Sequence, residues 1–207
     1  MIDPDPQVRA SVRDLVSSMN LQCATYSAGR EFFGAYSDSQ PGCLVLEVKI
    51  LDMSGLQIQR RLASEGKSLP LIFLSSHSDV SLAVELMRGG AVHYLQKPLR
   101  PLELINAMQE ALEVDRSRHE MNRQRQAILE SIAILSAKER EVLRLIADGL
   151  TNHQIALELH ISLRTVEVRR AHLMRKLRIK SPVALLHFAL LANENGRRYL
   201  DVAQAGI

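Results

Sequence analysis

Several polar side chains in this sequence stand close to the ends of short apolar runs. Carboxylates occur at Asp3, Asp5 and Glu47, a hydroxyl at Ser75 and an ammonium at Lys97. In an open parallel sheet, ligands bind beyond the carboxyl ends of the strands. If the apolar runs are strands of one such sheet, we expect these groups to form a polar site at its edge.

A second group of functional side chains is cationic and lies near the carboxyl end. Between Ser162 and Lys180 there are seven basic residues and one acidic residue, Glu167. This density of positive charge matches a phosphate backbone as the partner. A solvated cationic helix face is the alternative explanation. The basic residues are Arg164, Arg169, Arg170, Arg175, Lys176, Arg178 and Lys180.

The cationic segment belongs to a predicted helix-turn-helix. Helices are predicted over Asn152–Leu159 and Leu163–Leu177, and the connection between them is too short for anything but a steep crossing. At 100° per residue, Val166, Leu173 and Leu177 predict a packed face. The opposite face mixes small side chains with cations, which suits entry into the major groove. That face carries Arg164, Val168, Ala171 and Arg175, with Glu167 and His172 on its flanks.

Capping signals predict four helices after Leu135. Ser136-x-x-Glu139 and Thr151-x-x-Gln154 have the form of capping boxes. The capping signals, the short turn and the two-faced helix together favour DNA binding over a solvated cationic surface. The remaining signals are Gly149 at a helix end, Ser162 before the third helix, and Ser181-Pro182 before the fourth.

The first 113 residues alternate between strand-like and helix-length segments, which predicts a doubly wound parallel sheet of five strands. Met1-Ile2 supplies only the end of the first strand. The other strand-like runs are Leu21–Tyr26, Cys43–Val48, Leu71–Leu74 and Ala91–Leu95. The helical segments begin near Pro6, Gly29, Ser54, Asp79 and Pro101.

One long helix is predicted to follow, because Glu103 to Leu135 contains no proline or glycine. Ile128, Ile132 and Leu135 have i, i+4, i+7 spacing. This triplet is compatible with a short dimer seam and with a helix that packs on its own domain, and both interpretations stay open.

The segment LSAKEREVLRLIADGLTNHQIALELHISLRTVEVRRAHLMRKLRIKSPVALL resembles the LuxR-type DNA-binding domain of FixJ/NarL response regulators over nearly its whole length. The resemblance implies base contacts from Glu167, Val168 and Ala171, and dimerisation through the fourth helix, Pro182–Ala192. The implied phosphate contacts are Thr151, Asn152, Arg164, Thr165, Arg170, His172 and Lys176, and we add Arg169 and Arg175 to the DNA-binding set. His153 and Arg169 depart from the family pattern, which usually has lysine and histidine there.

The runs CLVLEVKILDMSG, PLIFLSSHSD and GGAVHYLQKP resemble receiver domains of the same family, over about residues 2–113. The resemblance implies that Ser75 reads a phosphoryl oxygen, that Lys97 supplies the cation of the pocket and that Tyr94 is the switch aromatic. Glu47 falls on the phosphoacceptor position, which is normally aspartate.

Three departures from the family pattern argue against ordinary aspartyl phosphorylation. Glu47 is one methylene longer than aspartate, so its charge reaches Lys97 without a phosphate. Pro4 replaces the second residue of the acidic pair that begins at Asp3, which removes a principal magnesium ligand. Ile50-Leu51 replaces the usual Met-Pro. A receiver held active by Glu47, or switched by another ligand, and a vestigial dimerisation scaffold both remain open.

The bulk properties fit a two-domain cytoplasmic protein of 207 residues. Residues 1–115 hold 10 basic and 14 acidic residues, whereas residues 136–207 hold 12 and 7, so the positive charge lies at the carboxyl end. Cys23 and Cys43 are predicted to be buried, inert thiols. The charged amino terminus excludes an apolar signal sequence, and no stretch is long and apolar enough for a membrane span.

The sequence therefore predicts a receiver-like domain at 1–113, a helical linker at 114–134 and a helix-turn-helix domain at 135–207. The expected function is sequence-specific transcription regulation without catalysis, cofactor or metal. The expected partners are double-stranded DNA and a second copy of the chain, with RNA polymerase as a further candidate and no ordinary role for a sensor kinase. The rival functions are a signalling interaction protein whose receiver binds a partner, and a receiver that a kinase still phosphorylates.

Overall fold

The computed structural model describes residues 1–37, 41–76 and 79–196, with side chains to 193. Residues 197–207, the last part of the predicted helix-turn-helix domain, lie outside these ranges. His77 and Ser78 of the receiver-like segment lie outside them as well. The chain divides into two compact units, Met1–Glu120 and Met121–Ile207. The long predicted helix is present as one continuous element, Pro101–Ala133, and its sequence spans the division.

The first unit is an α/β fold around a parallel sheet. Three strands pair in the order β1 (Leu44–Glu47), β2 (Leu71–Ser75) and β3 (His93–Gln96). Ile2 adds single parallel bridges to Tyr26 and to Leu46. The helices are α1 (Pro6–Ser18), α2 (Gly29–Ala35), α3 (Gly55–Ser64), α4 (Val80–Arg88) and α5 (Pro101–Ala133).

The parallel α/β architecture is confirmed, but the described residues form three strands where five were expected. The predicted first strand and the predicted run Leu21–Tyr26 pair only through the bridges of Ile2. One paired residue does not build a ladder, so neither segment forms a strand: Ile2 bridges to β1 at Leu46, and Tyr26 bridges to Ile2. The buried strands are apolar on both sides, as expected for a parallel sheet covered by helices.

Apolar side chains form a core on each face of the sheet. On one face Leu46 and Phe73 pack with Ile58 of α3 and Leu86 of α4. On the other, Val12 and Val16 of α1 pack with Met108 of α5 and neighbouring strand residues. These two cores fix the strand ends, and Glu47, Ser75 and Lys97 of the predicted pocket stand at or next to those ends.

The second unit is all-helical. Its own core contains Ile155, Val166 and Leu173. The end of α5 contributes Ile132, with Ile128 packed beside it, and Leu135 joins this core from the turn after α5. The structure thus supports packing of the triplet on its own domain, the second of the two interpretations. The helices are α6 (Ala137–Ala147), α7 (Asn152–Glu158), α8 (Leu163–Lys176) and α9 (Pro182–Gly196).

The predicted caps are confirmed. Ser136 and Thr151 form complete capping boxes at α6 and α7. Ser162 caps α8. Gly149 follows Asp148, the C-cap of α6, and adopts φ +80°, a conformation that glycine allows without strain. The two cysteines are free thiols, as predicted, but they are half-buried where the sequence predicted burial. Burial still raises the pKa of the Cys43 thiol to about 11, which keeps it protonated.

Candidate functional site

A compact ion cluster occupies the carboxyl edge of the sheet. The Lys97 ammonium Nζ lies 2.6 Å from Asp3 Oδ2 and 2.5 Å from Glu47 Oε2. Asp3 is 1% exposed and Glu47 6% exposed, so both carboxylates are shielded from water. Burial costs an ionised carboxylate several kcal/mol unless it is paired, and here one ammonium pairs with both.

The strand ends explain why these three side chains meet. Glu47 is the last residue of β1, and Asp3 directly follows Ile2, which bridges to the same strand. Lys97 follows β3, and its backbone N–H donates to the carbonyl of Ser75 at 2.8 Å. Ser75 ends β2 and is buried at the same edge. The Lys97-Pro98 peptide bond is cis.

The remaining oxygen atoms of the two carboxylates also accept hydrogen bonds from the chain. Asp3 Oδ1 accepts the N–H of Asp5 at 2.9 Å, and Glu47 Oε1 accepts the N–H of Lys49 at 3.3 Å. The guanidinium of Arg9 donates to the backbone carbonyls of Asp3 at 2.6 Å and Pro4 at 2.9 Å. Sequence reasoning missed Arg9, since nothing in the pattern of α1 shows where its side chain points.

Two predicted pocket residues lie apart from the ion cluster. The exposed Asp5 is the N-cap of α1 and accepts the N–H of Gln7 at 2.8 Å. Tyr94 is half-buried on β3, where it packs against the core and faces α4 together with Val80, Val84 and other residues. The structure therefore brings together Asp3, Glu47 and Lys97, with Ser75 at the same edge.

The protonation of Lys97 follows from two opposing effects. Burial lowers the pKa of this ammonium, whereas hydrogen bonds and charges from Asp3 and Glu47 raise it. The combined effect of the two carboxylates exceeds that of burial, so the pKa of Lys97 lies above its ordinary value of 10.5. Lys97 is consequently charged at neutral pH, and its ammonium pairs with both carboxyl groups.

The second candidate surface is the solvent-facing side of α8. Val166 and Leu173 are fully buried, whereas the opposite face is open and its Val168 is 47% exposed. Arg169 and Arg170 are half-buried, between the two faces. The predicted split between a packed and a free face is confirmed. The exposed members of the predicted DNA-binding set on this helix are Arg164, Glu167, Val168, Ala171, His172, Arg175 and Lys176.

A short turn sets α8 against α7. His160 adopts φ +50°, and its N–H donates to the carbonyl of Leu157 at 3.2 Å. Ser162 then caps α8 by accepting the N–H of Thr165 at 3.1 Å, and the two hydroxyl groups lie 2.8 Å apart. The predicted turn residues are thus confirmed, and Thr165 stands at the start of the helix.

Five predicted phosphate-contact residues have side-chain partners within the protein, and Thr165 with Ser162 is one of them. Arg170 Nη1 donates to Asn152 Oδ1 at 3.0 Å, which joins α8 to the first residue of α7. Lys176 Nζ lies 2.7 Å from Glu139 Oε2 of α6. The Thr151 hydroxyl belongs to the capping box of α7. Sequence reasoning predicted the capping box but neither of the two cation contacts.

Comparison with known families identifies both units. Residues 1–109 match the response regulator receiver domain, and residues 133–189 match the bacterial regulatory proteins of the luxR family. The chain belongs to the LuxR-family response regulators. It is therefore a DNA-binding transcription regulator, and the resemblance of both segments is confirmed.

Relatives of this response regulator are similar to it over most of their length. The transcriptional regulatory protein TdiR of Thauera aromatica is 35% identical over 92% of this chain and 84% of its own. FixJ of Azorhizobium caulinodans is 36% identical over 93% of this chain and 91% of its own. The solved structure of the response regulator StyR is 32% identical with a TM-score of 0.82, covering 90% of this chain and 94% of its own.

The described part of this response regulator has neither a metal-ion cluster nor a membrane-spanning helix. No group of three or more His, Cys, Asp or Glu residues within ranges 1–37, 41–76 and 79–196 is placed to hold a metal ion. No helix in these ranges is long and apolar enough to cross a membrane.

Proposed function

We propose that this response regulator controls transcription without ordinary aspartyl phosphorylation, because Glu47 permanently supplies the negative charge that a phosphoryl group would bring. The contact that carries the proposal is the 2.5 Å distance between Glu47 Oε2 and Lys97 Nζ. Lys97 is the cation that the family resemblance assigns to the phosphoryl group. With Glu47 and Asp3 both on its ammonium, Lys97 is already engaged.

The residues at this edge do not fit the magnesium ion that phosphorylation of a receiver uses. Pro4 offers no carboxylate, and both oxygens of Asp3 accept hydrogen bonds, from Asp5 and from Lys97. Arg9 places a guanidinium on the carbonyls of Asp3 and Pro4. Magnesium requires oxygen ligands in octahedral geometry and loses its bound water only at a high free-energy cost. Binding here would also require it to displace the hydrogen-bond donors that already occupy these oxygens, which would be costly.

The partners follow from the DNA-binding unit. We propose domains at 1–113 and 135–207 joined by a linker at 114–134, and binding of double-stranded DNA by a homodimer through the exposed face of α8. Recruitment or exclusion of RNA polymerase at the promoter would be the transcriptional output. A sensor kinase is not required, since the charge of Glu47 does not depend on a phosphoryl donor.

Replacing Glu47 by Gln tests the proposed charge mimic. Glutamine keeps the size and the acceptor oxygen but removes the charge from Lys97. If the charge holds the receiver in its active arrangement, E47Q should weaken operator binding at least about fivefold, the lower end of typical coupling between sites. The measurement is DNA affinity at one salt concentration, on a duplex selected from random sequence by the wild type.

The matched control is E65Q, which removes a carboxylate from the end of α3 that pairs with Lys67 away from the cluster. It should bind as the wild type does. If E47Q itself binds DNA with wild-type affinity, the hypothesis that Glu47 imitates a phosphoryl group is wrong. The alternative, that the receiver is a vestigial dimerisation scaffold, would then remain.

The same proposal predicts that acetyl phosphate or beryllofluoride, each with magnesium, changes neither the mass nor the DNA affinity of the protein. E47D alone should not restore phosphorylation, because Pro4 still provides no ligand. The double variant P4D/E47D restores both carboxylates and is the positive control. A stable acyl phosphate on wild-type Glu47 would show that the pocket still works as an acceptor.

A further inference from the structure

The contact between Asn152 and Arg170 gives two predicted phosphate ligands a common role. By family resemblance each contacts a phosphate separately. In the structure Arg170 Nη1 donates to Asn152 Oδ1 at 3.0 Å, and both side chains are half-buried. The amide of Asn152 is therefore turned towards α8, where the guanidinium of Arg170 meets it.

The position of Arg170 on α8 explains why it needs such a partner. It stands four residues after Val166 and three before Leu173, which are both fully buried, so its stem leaves the helix beside the packed face. Its guanidinium must then extend past the core to reach the surface. Burial lowers the pKa of Arg170, yet a guanidinium stays charged at neutral pH.

A guanidinium has five N–H donors in a fixed planar fork. The bond to Asn152 uses one of them and restricts where the guanidinium lies. The other donors stay available for phosphate oxygens. Since a long side chain loses rotamer freedom on binding, orienting it beforehand makes its phosphate contact stronger.

We propose that Asn152 is a positioning residue for Arg170, and that the two form one phosphate-binding unit in which only Arg170 contacts the DNA backbone. This inference rests on DNA binding by the α8 surface. It changes the role of Asn152 from a ligand to a support. It also predicts that the two residues are energetically coupled in DNA binding.

A double-mutant cycle on the full-length chain tests this coupling. The variants are N152A, R170Q and N152A/R170Q, each measured for affinity to a duplex selected by the wild type, over a range of salt. R170Q should weaken binding roughly tenfold. It should also reduce the slope of log K against log salt by about 0.9 for each Arg170 that contacts a phosphate.

N152A should weaken binding by a smaller factor, and the double variant should bind within about twofold of R170Q alone. Since alanine at 152 removes no charge, a reduced salt slope in N152A would report the displaced Arg170. If Asn152 instead contacts a phosphate independently, N152A leaves the salt slope unchanged and the two losses multiply in the double variant. That result would overturn the inference while leaving DNA binding intact.

The control is His153, the exposed neighbour of Asn152 on the same turn of α7. The losses of DNA affinity caused by H153A and by R170Q should multiply in the double variant H153A/R170Q. Thermal unfolding of every variant separates a folding defect from a binding defect, because loss of a purely structural brace would lower the melting temperature without changing the salt slope. If the wild type binds no duplex at all, DNA binding itself is overturned and the inference with it.

Discussion

Lys97 and Lys176 are both long cations that reach a shielded carboxylate on another element. Lys97 neutralises part of the acidic edge of the sheet, and Lys176 joins α8 to Glu139 at the start of α6. Glu139 has only 9% of its side chain exposed and also accepts the N–H and the hydroxyl of Ser136, each at 2.8 Å. One carboxylate thus caps a helix and holds a second helix in place.

The pKa of Glu139 leads to a prediction about acid stability. Burial raises its pKa, but the hydrogen bonds from Lys176 and Ser136 outweigh burial and lower it from 4.5 to about 2. A lowered folded-state pKa stabilises the fold above pH 4.5, and this contribution is lost as the pH falls towards 2. E139Q keeps the capping box and should lower the unfolding free energy at pH 7 by about 1–2 kcal/mol, since Lys176 is partly screened by water.

The measurement is urea unfolding of wild type and E139Q between pH 7 and pH 3. Their difference should shrink steadily below pH 4.5. A difference that stays constant over this range would mean that shape, and not charge, explains the effect.

Residue positions were more predictable than residue partners. Asp3, Glu47 and Lys97 could be brought together from the sequence, because strand ends in a parallel sheet share one edge. The partners of Arg9, Arg170 and Lys176 could not, because a long flexible side chain reaches several elements and only the folded chain selects one. Asp5 lies at a strand end by sequence but is used as a helix cap.

The ends of the helices were the most predictable feature of the secondary structure, because capping is a local interaction between residues three apart. The strands were less predictable, since a strand needs a partner of matching length. Close packing between elements was not visible from the sequence. Gly55, the first residue of α3, shows this: a β-carbon there would lie 2.8 Å from the ring of Phe73 and 3.2 Å from the carbonyl of Glu47.

We therefore predict that G55A lowers the unfolding free energy by about 1–3 kcal/mol, the usual cost of overpacking. Phe73 is fully buried and the carbonyl of Glu47 is backbone, so neither can move away. The matched control is G89A, whose β-carbon would meet only the end of the Gln59 side chain at 2.8 Å. Gln59 can turn away at the loss of its hydrogen bond to Leu86, about 1 kcal/mol. Chemical denaturation measures the unfolding free energy of G55A and G89A. Equal losses in the two variants would contradict this explanation.

At the scale of the whole molecule, the two units differ in charge and chemistry. The acidic amino-terminal unit carries the ion cluster, and the basic carboxyl-terminal unit carries the exposed face of α8. One recognition helix contacts only a few base pairs, so a dimer on two half-sites is the expected form on DNA. In the carboxyl-terminal unit, α9 has an exposed apolar stripe, which we propose as the dimer contact. Its exposed residues are Val183, Leu186 and Leu190.

We predict that the wild type protects two half-sites whose centres are about 10 base pairs, one helical turn, apart. L190Q makes the α9 stripe polar without adding charge, so it should reduce pairing on DNA and give protection of single half-sites at higher protein concentration. Leu157 is the matched control, since it is 75% exposed on α7, outside the stripe, and L157Q should leave the paired footprint intact. Footprinting together with sedimentation of the free proteins checks both variants. A paired footprint for L190Q at wild-type concentration would place the dimer contact elsewhere in the chain.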